Sequence, residues 1–294
     1  MKERLKIKIF FFLTADLGYN SFEIFQKKFP ERFINVGVAE NNMIGIATGL
    51  ALLKKEVYVY SIVPFLVFRS LEQIRNNICH NNLNIKILGG GGGFSYGDQG
   101  ISHNTSEDLS IMNTLPNLKI FTPSSIGETE VMLNNMFLNK GPSYMRLGKV
   151  PLNNYKFNKE NYKLGEGIVV NKGSDVVILS CGNILGNIHE VVKNLKILNV
   201  SSKLISFPCI KPLNEKFIIK HTSKFNKIII IEENIRIGGF GTTLKEIFIK
   251  FDYIKKIKHI GLDDKVHNQI GSQEYLRKIN NLDVKSITRN IINF

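Results

Sequence analysis

The chain has 294 residues, long enough for two domains, and its 43% hydrophobic and 22% charged residues exclude wholesale disorder. A formal charge of +14 raises a nucleic-acid partner as a question, but the lysines are dispersed among Asn and Ile with no basic block, so a solvated Lys-rich surface is expected and no nucleic-acid partner. Cys79, Cys181 and Cys209 lie far apart with no CxxC pair, which argues against a zinc ribbon or disulfide scaffold and fits a reducing cytoplasm.

The apolar run at residues 9–13 is too short for a signal-peptide core and reads as part of a buried strand over 7–13. Further strands are predicted at 32–36, 57–63, 85–88, 118–122 and 143–147, with helices at 41–53, 66–79 and 127–139 and a glycine-rich loop at 89–100. Residues 148–163 are rich in Asn, Lys and Tyr and read as a linker. Beyond it, strands are expected at 167–170, 176–180, 202–207 and 227–232, helices at 187–198 and 214–220, and a glycine loop at 237–243 opening a helix at 244–251. Strands alternating with helices predict two open, mostly parallel α/β sheets, one in a domain over 1–150 and one over 164–294. No stretch approaches the ~18 apolar residues of a membrane span.

Four features bear on chemistry. Glu40 follows Val-Gly-Val-Ala at a strand-to-helix junction, where parallel sheets place ligands; it reads as a desolvated proton-handling carboxylate or as a helix N-terminal acid favoured by the dipole. Phe65 and Phe68 share one helical face, as core or as a binding wall. The segment from Gly89 to His103 combines close backbone approach with a histidine, yet matches no Walker or dinucleotide fingerprint. Arg146, in Ser143-Tyr-Met-Arg146-Leu-Gly-Lys149, puts a cation at a strand end, suited to a phosphate, a carboxylate or a surface ion pair.

Their order is more specific than any one of them. Phe29-Pro-Glu-Arg-Phe-Ile-Asn-Val-Gly-Val-Ala-Glu40, Glu72-Gln-Ile-Arg-Asn, Ser95-Tyr-Gly-Asp98-Gln-Gly-Ile-Ser-His103, Leu115-Pro-Asn-Leu and Gly141-Pro-Ser-Tyr-Met-Arg-Leu-Gly occur in register. Ile210-Lys-Pro-Leu, Glu232-Glu-Asn and Gly238-Gly-Phe-Gly follow. Together, over roughly residues 10–290, they resemble the C-terminal half of transketolases, and most of all the separate C-terminal subunit of split transketolases.

The resemblance implies a thiamine diphosphate pyrimidine-binding domain followed by the family's C-terminal domain. It implies transfer of a two-carbon ketol unit between sugar phosphates. The family's magnesium signature, Gly-Asp-Gly with a later Asn, is absent from the sequence, so the diphosphate and Mg2+ are expected on an N-terminal partner chain, in a heterotetramer, or a homodimer when alone. By position, Glu40 would bond the pyrimidine N1′, Phe65 and Phe68 would line the ring pocket, with Leu71 where the family has a third aromatic, and Asp16 would lie near the thiazolium. His103 would meet the ketose hydroxyls, and Arg146, with Arg69, would hold a sugar phosphate. The usual Asp-Gly-x-Thr-His reads Gln99-Gly-Ile-Ser-His103, so the acceptor contact falls to Gln99 or to its neighbour Asp98. The resemblance leaves room for a β-type subunit of a 2-oxo acid dehydrogenase, a deoxyxylulose-phosphate synthase-like enzyme, or a non-catalytic degenerate subunit.

Overall fold

The computed structural model describes residues 10–149, 155–253 and 255–294. The expected strand over 7–13 is observed from Phe10, as β1 (Phe10–Thr14); its first three residues, and residues 150–154 of the expected linker, lie outside the described set. Next come α1 (Glu23–Lys28), β2 (Phe33–Asn35), α2 (Glu40–Leu52), β3 (Glu56–Ile62) and α3 (Val63–Gln73). Six residues of π-helical winding, Ile74–Cys79, prolong α3. Then follow β4 (Ile85–Gly90), α4 (Asp108–Asn113), β5 (Lys119–Phe121), α5 (Ile126–Leu138) and β6 (Ser143–Leu147). The second half runs β7 (Ile168–Asn171), β8 (Val176–Ser180), α6 (Leu185–Ile197), β9 (Ser202–Ser206), β10 (Cys209–Lys211), α7 (Glu215–Thr222), β11 (Lys227–Ile235), α8 (Phe240–Lys250), β12 (Lys256–Leu262), α9 (Gln273–Ile279) and α10 (Val284–Ile292).

The strands form two open sheets, ordered β10-β5-β6-β4-β3-β1-β2 and β12-β11-β8-β9-β7. Every pairing is parallel except β10 against β5 and β7 against β9. The central strands are buried on both faces and carry continuous apolar runs, such as Ile228–Ile231 in β11. Sequence periodicity divides the chain at the linker, but β10, which follows β9 in the second half, completes the first half's sheet. One apolar core runs accordingly from Leu13, Val59 and Ile87 to Val177, Ile230 and Leu244.

Order β6-β4-β3-β1-β2 sets side by side the loops that leave the carboxyl ends of these strands. Asp16 follows β1, Glu40 follows β2, Phe65 follows β3 and His103 lies in the loop after β4. Open parallel sheets bind ligands along this edge.

Candidate functional site

Glu40 is the first residue of α2 and is only 2% exposed. The helix that follows, Met43-Ile44-Gly-Ile-Ala47 with buried Met43, Ile44 and Ala47, packs flush on the sheet, so the carboxylate is pressed between α2 and β3. Its Oε1 accepts from Ser61 Oγ at 3.4 Å, and Oε2 accepts from Arg69 Nη1 at 2.9 Å. Arg69, one helical turn past Phe65, spreads its guanidinium over the Phe65 ring, 4.1 Å from the centroid. On the other side His103 meets Phe65 edge-on with ring centroids 5.0 Å apart, and its Nδ1 is 2.9 Å from Ser102 Oγ. A buried carboxylate, a half-exposed phenyl ring and an imidazole thus converge from three loops.

Asp16 adopts φ of 54° and is held by Asn35 Nδ2 at 3.1 Å and the Tyr19 hydroxyl at 3.2 Å. It stands on the same edge, beside the Glu40 loop. Phe68, 42% exposed, lines a cleft of about 400 Å3 between the two halves with Ile101, Asn104 and His267. Leu71 is half-buried against the main core. Asp98 and Gln99 are exposed on a short 3-10 turn at the tip of the loop.

The two arginines expected to hold a sugar phosphate are both already engaged. Arg69 neutralises Glu40, because a buried carboxylate draws in whatever cation the adjacent helix turn offers. Arg146 is 11% exposed at the side chain and points inward: its Nε lies 3.5 Å from Asp108, which is fully buried and also accepts from Tyr144 Oη at 2.8 Å, and its Nη2 donates to the Glu233 carbonyl at 3.0 Å. Burial pushes the Asp108 carboxyl up, with Arg146 and Tyr144 pulling the other way. Arg146 thus bolts the two halves together in this structure. Sequence inspection did not single out Ser61 or Asp108, ordinary residues of a strand and a helix whose partners are 21 or more positions away, and Tyr144 stands in the Arg146 motif with no role given to it.

Among the described residues no group of three or more His, Cys, Asp or Glu side chains is placed to hold a metal ion. For a planar coenzyme ring the fit is better. The Arg69 guanidinium, itself flat and carrying N–H donors, lies on Phe65 and bonds Glu40, the two contacts an aminopyrimidine needs.

Residues 5–154 match the transketolase pyrimidine binding domain and residues 165–287 the transketolase C-terminal domain. The chain belongs to the transketolase family. It is 34% identical over 283 residues to the putative transketolase C-terminal section of Methanocaldococcus jannaschii, covering 95% of this chain and 88% of that one. It is 28% identical to an apulose-4-phosphate transketolase subunit of Actinobacillus succinogenes, over 90% of this chain and 85% of that protein. A solved split gene transketolase, an inactive beta4 tetramer, superposes with a TM-score of 0.86 at 26% identity, covering 99% of this chain and 93% of that one. Within a transketolase fold, the edge bearing Glu40, Phe65 and His103 belongs to the domain that the family names for pyrimidine binding. Among the described residues no helix is long and apolar enough to cross a membrane.

Proposed function

We propose that this chain is the C-terminal subunit of a two-chain, thiamine diphosphate-dependent transketolase that moves a two-carbon ketol unit from a ketose or its phosphate to an aldose or its phosphate. The observation that carries the reading is the buried Glu40 carboxylate beside the Phe65 face, with His103 at the ring's edge. An N-terminal subunit supplies the diphosphate and Mg2+ half, a reading supported by relatives that are themselves a separate transketolase section or subunit. The relatives that are separate subunits support a second chain, and the assembly is taken as a heterotetramer of two chains of each kind.

When bound, the coenzyme supplies a thiazolium that stabilises the transferred carbanion, and the protein's part is position and proton handling. Glu40 holds a proton at the pyrimidine N1′ from a site where water does not compete, and Ser61 steadies the second carboxylate oxygen. Phe65 gives the ring a flat apolar wall. Asp16, fixed by Asn35 and Tyr19, sets negative charge at the neighbouring loop for the cationic ring. His103 bonds the ketose hydroxyls, with Ser102 holding its Nδ1 side. Asp98 and Gln99, exposed at the loop tip, are assigned to the acceptor. Arg146, with Arg69, is kept as the candidate cation for a sugar phosphate, each having first to exchange its present carboxylate partner.

The test is reconstitution. The chain mixed with its N-terminal partner, thiamine diphosphate and Mg2+ should transfer ketol units between sugars, while the chain alone should not. Glu40→Ala should lower that rate by roughly 10²–10⁴-fold, the range of a positioned proton-transfer group. Full activity in this variant, or consumption of pyruvate in place of a ketose, would overturn the assignment.

A further inference from the structure

The triplet Glu232-Glu233-Asn234 in β11 lies in the second half of the chain, away from the coenzyme edge, and the mechanism above leaves it without a role. Glu232 stays within its own domain, accepting from the backbone N–H of Phe240 and Gly241 at 3.0 and 2.8 Å and meeting His259 Nε2 at 2.8 Å. Asn234 donates to Ser110 Oγ at 2.8 Å. Glu233 reaches further. Its Oε1 accepts from the Phe94 backbone N–H at 2.8 Å and from Gln273 Nε2 at 3.0 Å, and its Oε2 accepts from Arg277 Nε at 2.6 Å. Burial works against its charge, but Arg277, the Phe94 N–H and Arg146 outweigh it and hold the carboxyl below the usual range.

Phe94 opens the loop that carries His103. The loop's base is closed by Gly93 and Thr105, whose backbones bond at 3.1 Å, with Thr105 Oγ1 also accepting from the Gly93 N–H. Between them the segment hangs on the second domain: the Phe94 ring is buried in that domain's core and Gly271 N donates to Gly97 O at 3.0 Å; just past the base, Ile235 N donates to Ser106 O at 2.7 Å. Gly93, at φ of +66°, lies against Glu233 Oε1, so that any Cβ there would collide with the carboxylate. Of the attachments from the second domain named here, the Glu233 carboxylate is the one made by a charged side chain, at 2.8 Å, while Arg146 of the first half reaches the Thr105 carbonyl at 3.4 Å; a charge-assisted bond is the stiffer kind.

We propose that Glu233 is the positioning residue for His103: the second domain serves as the mount for the loop, and the buried Glu233–Arg277 pair fixes how far the imidazole extends toward Phe65. The proposal rests on the role given to His103 above, but its physical content is the order of one loop, which can be read on the full chain without turnover.

In Glu233→Gln, amide hydrogen exchange across residues 93–106 should quicken by about tenfold or more, and the His103 imidazole resonance should move as its edge contact with Phe65 relaxes, while amides of β3 and β4 keep their wild-type exchange. Gln273→Ala, which removes one donor and leaves the ion pair, should shift both readouts the same way by less. In the reconstituted enzyme Glu233→Gln should lower kcat/KM for the ketose by roughly 10–100-fold, the scale of a 1 Å misplacement, with coenzyme affinity unchanged. An unmoved loop and His103 resonance, or acceleration of β3 and β4 to the same degree, would overturn the proposal even if the enzyme proved to be a transketolase. Conversely, loop loosening in a chain that transfers no ketol units would uphold the mount and overturn only the reaction.

Discussion

At Glu40 the lone chain has settled a local problem in a way that bears on function. A carboxylate at 2% exposure cannot stay charged without partners, and Arg69, half-exposed, swings over Phe65 to supply one. The guanidinium then occupies the place that the proposed function gives to a flat coenzyme ring. In Arg69→Met the stem is kept and the planar cation lost, and two readouts should move in opposite directions. Unfolding of the isolated chain should become easier by about 1–2 kcal/mol, below the ~3–5 kcal/mol of a fully buried pair because one partner is in water. Thiamine diphosphate should bind the reconstituted enzyme more tightly, as calorimetry would measure, since nothing has to be displaced from Glu40. Weaker binding would show that the arginine supports the ring. A second buried charge has no such alternative partner. Lys86 donates from Nζ to the carbonyls of Asn139 and Gly141, both at 2.8 Å, and burial pushes its ammonium down to about 8, with Glu56 opposing and Lys119 assisting. The unfolded chain holds this proton to a higher pH than the folded one, so Lys86 makes stability rise as pH climbs from about 8 toward 10.5. Denaturant titrations of Lys86→Met and wild type across that window should differ in slope, by at most about 3 kcal/mol in total. Parallel curves would refute the shift.

The elements legible from sequence are those whose cause is local. The strand expected at 143–147 and the one at 176–180 are observed as β6 and β8 with the same ends, because each is an apolar β-rich run bounded by Gly or Pro on one side or by Ser and Asp on the other. Glu40 was legible as a junction residue for the same reason. Where the cause is distant, the reading failed. The strand β10 is only Cys209-Ile-Lys211 between two prolines, too short for any period, and exists because β5 offers it an edge. The helix α8 starts at Phe240, inside what reads as a glycine loop, because its first N–H groups are capped by Glu232 from β11 and no side chain next to it in sequence is needed. The short α1 buries none of its residues and α4 buries polar Asp108 and Ser110 beside Leu109 and Met112, so neither shows a clear apolar stripe, and the edge strand β12 alternates Lys with apolar residues on one covered face. By contrast α10 carries a local signal: Asp283 caps it, and Val284, Ile287 and Ile291 recur at helical spacing against α6. The site divides in the same way. Position along the sheet edge follows from strand order and motif, whereas the partners of Arg69 and Arg146 depend on which carboxylates the fold buries beside them.

At the scale of the whole molecule, the two sheets are not independent bodies joined by a linker. Pairing of β10 with β5 makes the second half complete the first half's sheet, and Lys211 Nζ, 2.6 Å from both the Asn113 and Leu115 carbonyls, ties that strand to the end of α4. Thr122 carries the seam onward: its N–H donates to Pro208 O at 2.8 Å, its hydroxyl to Phe207 O at 3.2 Å, and its carbonyl accepts from Gly182 N at 3.1 Å. Arg146 and Glu233 close it at the opposite rim. With one apolar core crossing this seam, loss of either half exposes buried surface of the other, and the cost of separation exceeds what either half could regain alone. The full chain should therefore unfold in one calorimetric transition whose van 't Hoff and calorimetric enthalpies agree, in spite of a length at which two domains are usual. A fragment of residues 1–150 should fail to fold or should aggregate through the bared β5 edge, where Ile120 and Phe121 would face water. Two resolved transitions, or a soluble 1–150 fragment with a wild-type melting temperature, would mean that the seam holds the halves in register without coupling their stability, and the mounting of the His103 loop on the second domain would then have to be argued from its own hydrogen bonds alone.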